Sequence, residues 1–72
     1  MYYDVRERVL SVGETIVIDP ADGMRAFAVV SGEAVYDSGD PITLNAMVHL
    51  AESAVSVRAI TECTLMLGVQ VE

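Results

Sequence analysis

Turn-forming residues break this chain so often that only short elements fit between them. Gly13, Asp19-Pro20-Ala21-Asp22-Gly23, Ser31-Gly32, Asp37-Ser38-Gly39-Asp40-Pro41, Asn45, Glu52-Ser53 and Glu62 mark the breaks. Proline presets φ for a turn, glycine supplies positive φ, and Asp, Asn or Ser can bond its own backbone two residues on. Between the breaks the chain is β-branched, with twelve Val, four Ile and four Thr against five Leu. Such side chains fit a pleated surface and lose rotamer freedom in a helix. The spacing predicts about eight short antiparallel strands, at 4–11, 15–18, 25–31, 33–36, 42–44, 47–50, 55–61 and 64–71, in one all-β barrel or sandwich domain spanning 1–72. The best helical alternative is 45–53, with Asn45 as N-cap, but it spans under three turns.

Alternation identifies the strands with one wet face. Val55-Ser56-Val57-Arg58-Ala59 alternates cleanly and Thr15-Ile16-Val17-Ile18 less sharply, so Ile16, Ile18, Val55 and Val57 are expected in the core. Ala26-Phe27-Ala28-Val29-Val30 and Leu65-Met66-Leu67-Gly68-Val69 do not alternate. Strands apolar on both sides are covered on both sides.

A chain of 72 residues is near the size at which folding alone is marginal and helpers are common. With one cysteine, Cys63, and one histidine, His49, neither an intrachain disulfide nor a Cys/His zinc staple can form. Partner subunits remain, and a homo-oligomer is expected. The interface candidates are Tyr2 and Tyr3 as a docking arm, Phe27, Val29 and Met66 from the doubly apolar strands, and Met47 with His49, which share a face. The chain has no lysine, the usual guard of an exposed sheet edge, although Pro20, Pro41 and the charges of residues 4–8 can serve.

Eleven acidic residues against four arginines give a net charge of −7. Such a surface repels phosphate backbones and anionic membranes, so neither nucleic acid nor membrane is an expected partner. The longest uncharged stretches, 41–51 and 63–71, fall short of the ~20 residues of a spanning helix. Charges stand where a secretory signal would be apolar, which makes cytoplasmic synthesis the expectation.

Catalytic and metal chemistry find few residues. Cys63 and His49 are the one nucleophile–imidazole combination, but an apolar neighbourhood and Glu62 argue for an inert buried thiol. Asp19 with Asp22 and Asp37 with Asp40 lack the order of a calcium loop and read as turn formers. No glycine-rich phosphate loop is present. No catalytic residue, metal site or cofactor is expected.

The stretch from Pro20-Ala21-Asp22-Gly23 through Val29-Val30-Ser31-Gly32-Glu33, followed by Gly39-Asp40-Pro41-Ile42, resembles the cupin superfamily and, more loosely, the C-terminal half of pirin-like proteins. The resemblance covers roughly the central and later two-thirds of the chain and implies a jelly-roll-like fold. Cupins typically place two histidines and a glutamate before the first hairpin and a third histidine later. Here that region holds Met24, Arg25, Ala26 and Phe27. The resemblance therefore implies the fold without the family's metal chemistry.

The expected function is a non-enzymatic structural or interaction protein that self-assembles through apolar β faces. A capsid-decorating protein docked on a larger scaffold in a virion is one concrete form. The alternative is a metal-free, cupin-like domain holding a small apolar ligand among Met24, Phe27, Met47 and Met66.

Overall fold

The computed structural model describes residues 2–71, with side chains from Asp4 to Gln70. Seven strands form: β1 (Tyr2–Leu10), β2 (Thr15–Ile18), β3 (Met24–Ser31), β4 (Ala34–Tyr36), β5 (Val48–His49), β6 (Val55–Ala59) and β7 (Cys63–Val71). A single 3₁₀ turn, Pro20–Asp22, precedes β3; the Asp19 carboxylate caps it by accepting from the Ala21 amide at 2.9 Å.

The strands make two antiparallel sheets, one of four strands ordered β1-β7-β3-β5 and one of three ordered β2-β6-β4. The architecture is a sandwich of open sheets, so the barrel alternative is set aside. Odd-numbered strands lie in one sheet and even-numbered strands in the other, and every connection therefore crosses between layers. The Gly32-Glu33 turn joins strands of different sheets, whereas the Gly39-Asp40 turn folds Pro41 back on β4 as a short hairpin before the chain crosses.

The core lies between the sheets. Phe27, Val29, Leu65, Leu67, Cys63 and Leu10 face it from the larger sheet, and Ile18, Val57, Ala59 and Ala34 from the smaller. Ile18 and Val57 are fully buried, while Ile16 and Val55 pack against the cluster as partly buried neighbours. The Phe27 and Tyr36 rings meet edge to face across the layers, with centroids 6.4 Å apart.

The eighth strand expected at 42–44 is instead a crossing segment. Pro41 forms one isolated bridge to Val35, and the Ile42 amide donates to the Ala34 carbonyl at 3.1 Å. Asn45 then turns the chain with a φ of 64°, and its amide reaches the Val29 carbonyl in the other sheet. Proline lacks an N–H for a ladder, and the reversal at Asn45 leaves no length for one. The 45–53 segment forms no helix; its regular part is β5.

Candidate functional site

The two sheets differ on their outer sides. On the three-stranded sheet Thr15, Ser56 and Arg58 point outward, with Asp37 beside them. Val17 and Val35 share this outer side, so the alternation is clean in β6 and less sharp in β2 and β4.

In the four-stranded sheet β3 and β7 are largely apolar on both faces, while β1 adds Asp4, Arg6 and Arg8 to one side and Glu7 to the other. Residues directly opposite in an antiparallel pair share a face, and the register places Val5 beside Gly68, Gly68 beside Ala26, and Ala26 beside His49. The same face carries Glu7, Val9, Ala28 and Met66. A groove of about 270 Å³ runs across it, lined by Val5, Arg25, Ala26, Met47, His49 and Gly68. Gly68 forms the floor, since a Cβ there would meet only the Ala26 side chain and backbone at 3.6 Å and beyond. Val5 is 64% exposed and Met47 61% exposed. The polar elements are Glu7 on β1, opposite Met66, Thr64, opposite Val9, and Arg25, at a register shift in β3, whose Nε donates to the Gln70 side-chain oxygen at 2.8 Å.

Among the interface candidates, Met47, His49 and Met66 come together on this face. Phe27 and Val29 do not join them. Their relative exposures are 0% and 1%, and both fill the interior of the single chain, so they present no surface to a neighbour. Two apolar faces compete for the inside of β3, and the larger side chains win it because they bury more area. Ala26 and Ala28 take the outer face, where Ala28 is still only 7% exposed. The backbones of Tyr2 and Tyr3 belong to β1, but their side chains lie outside the described residues. Sequence reasoning missed Val5, Ala26 and Gly68 as members of the face. The signal for Val5 was present in Val5-Arg6-Glu7-Arg8-Val9, where the valines are four apart and share a strand face.

Cys63 and His49 do not form a reactive pair. Cys63 points into the core opposite Leu10, whereas His49 lines the outer groove. Burial, and secondarily the Glu14 charge, push the Cys63 thiol above its ordinary pKa, away from thiolate chemistry. The acidic turns are occupied with local bonds: the Asp19 carboxylate accepts from the Ala21 amide and caps the 3₁₀ turn, and the Asp40 carboxylate accepts from the Ser38 hydroxyl at 3.1 Å. Among the described residues no three His, Cys, Asp or Glu side chains gather as a metal-holding group. Likewise, no helix is long and apolar enough to cross a membrane.

No protein-family model matches the chain, and no curated protein or solved structure matches it. The functional reading therefore rests on the geometry of this face.

Proposed function

We propose that this chain is a non-enzymatic structural or interaction module that self-associates through the outer face of its four-stranded sheet. The observation that carries the reading is the run of apolar residues on that face, from Val5 and Val9 on β1 through Met66, Ala26 and Ala28 to Met47 in the groove beside β5, interrupted by Glu7. Contiguous apolar surface is costly in water and marks contact sites. Three strands of eight or nine residues about 4.8 Å apart, with the two-residue β5 beside them, give a face of roughly 14 by 30 Å, about half of the ~800 Å² per partner that a specific interface buries. Docking of such an assembly on a larger shell, as in capsid decoration, is the narrower form of the same proposal.

The cupin-like ligand reading has less support. Phe27, Leu10, Ile18, Leu65, Val29 and Val57 occupy the space between the sheets, each at most 1% exposed.

Light scattering at micromolar concentration tests the proposal. The wild-type chain is expected to be an oligomer, and Met47→Glu, which places a charge on the rim of the groove, is expected to be a monomer with an unchanged circular dichroism spectrum. A monomeric wild type would overturn the reading.

A further inference from the structure

We propose that a second copy of this chain pairs antiparallel along the free edge of β1, in the register centred on Val5. This pairing presupposes the self-association above and gives it an edge and a register.

β1 is nine residues long and stands at the end of its sheet, bonded to β7 on one side only. The other edge strands are short: β5 has two residues, β2 four, and β4 three with Pro41 bridged alongside. A long unpaired edge is a template for another strand. What β1 accepts is then decided by its charges.

Asp4, Arg6 and Arg8 share one side of β1, opposite Val69, Leu67 and Leu65, but all three are exposed because the second sheet does not cover them. When identical strands pair about a twofold axis normal to the sheet, same-face residues oppose each other. Centring on Asp4, Arg6, Glu7 or Arg8 sets that residue against its own copy, and centring on Glu7 also opposes Arg6 to Arg8. Like charges directly opposite destabilise a pair. Of the registers centred on residues 4 to 8, only the Val5 register opposes no like charges. There Asp4 faces Arg6 of the second copy, and Arg6 faces its Asp4. Within each chain Arg6 Nε already lies 3.2 Å from an Asp4 carboxylate oxygen. The two in-chain and two cross-chain contacts close a square of alternating charge. On the other side of the strand, Val5 meets Val5. Among the registers centred on residues 4 to 8, the charges of β1 thus favour the Val5 register, the Arg6 register setting an Arg6–Arg6 clash against two Asp4–Arg8 pairs, and pairing joins the outer faces of the two copies.

Sedimentation equilibrium at low ionic strength tests this with Asp4→Arg, Arg6→Asp and the double variant. Asp4 and Arg6 point away from the apolar face, so face-to-face stacking alone is indifferent to them. Each single reversal creates two like-charge contacts per dimer and is expected to weaken dimerisation roughly tenfold, while the double reversal rebuilds the square and recovers the wild-type constant within about threefold. A double variant as weak as the singles overturns the register. Association that ignores all three variants but is lost in Met47→Glu overturns edge pairing and leaves the face reading standing; a monomeric wild type overturns both. Circular dichroism confirms that each variant is folded, as expected for side chains 52% and 62% exposed.

Discussion

Gly32 sits where two chain reversals meet. Its φ is 80°, and a Cβ at this position would collide with the Glu62 carbonyl oxygen and come within 2.7 Å of the Cys63 Cα. Both reversals are bonded through the same contact: the Glu33 amide donates to Thr61 Oγ1 at 3.0 Å, and the Ile60 amide donates to the Glu33 carbonyl at 2.9 Å. Any side chain at Gly32 must therefore push these turns apart as well as adopt a left-handed backbone. Gly32→Ala is expected to cost about 2–4 kcal/mol, combining the backbone penalty with lost contacts. Chemical denaturation would measure it. Gly39→Ala, with a φ of 91° but nothing within 4 Å, carries the backbone penalty only and is expected to cost less. The Ser31-Gly32 pair is legible as a turn from sequence, but its close approach to Glu62 is not, because the two segments are thirty residues apart.

The first crossing between layers, from β1 to β2, is held by Glu14. One carboxylate oxygen accepts from the Ser11 amide at 3.0 Å and the other from Arg8 at 3.1 Å. The Ser11 amide first, and the Arg8 side chain second, lower the Glu14 pKa. A depressed carboxylate stabilises the fold above its ordinary pKa, and that contribution goes as pH falls through the lowered value. Glu14→Gln is thus expected to be less stable than wild type at neutral pH, with the difference shrinking in acid, as thermal melts across a pH series would show. At the same scale, strand positions follow from β-branched runs between turn residues, and β2 matches its expected bounds at 15–18. The segment at 42–44 misleads because its composition suits a strand while Pro41 and the reversal at Asn45 deny it a partner.

At the scale of the whole molecule, each strand pairs with strands at least two places away along the chain, and Tyr2 lies opposite Val71. No ladder joins consecutive strands among the described residues. Loop-closure entropy must therefore be overcome before ladder bonds and core contacts form. Refolding after a denaturant jump is expected on a roughly millisecond-to-second scale, as for other folds dominated by non-local pairs. Stopped-flow fluorescence of the tyrosines would follow it, and microsecond folding would show that local structure carries more of the stability than this topology implies. The same alternation between layers assigns the two doubly apolar runs to one sheet, as neighbours β3 and β7. Their outer sides then fuse into one face instead of two separate stripes.

The sequence by itself determined the strand content, the turn positions and which strands are apolar on both sides, because turn chemistry and the period-two alternation are local properties of the chain. It also placed Met47 and His49 on a common face, since parity along a strand is local too. Only the tertiary structure decided which of two apolar faces is inside, placing Phe27 and Val29 in the core and Ala26 and Gly68 at the surface. It likewise decided that β1 closes the sheet as a free, charged edge. Those outcomes depend on which distant strands meet, and pairing between distant strands is settled by the burial and ladder bonds of the assembled sandwich rather than by any one segment.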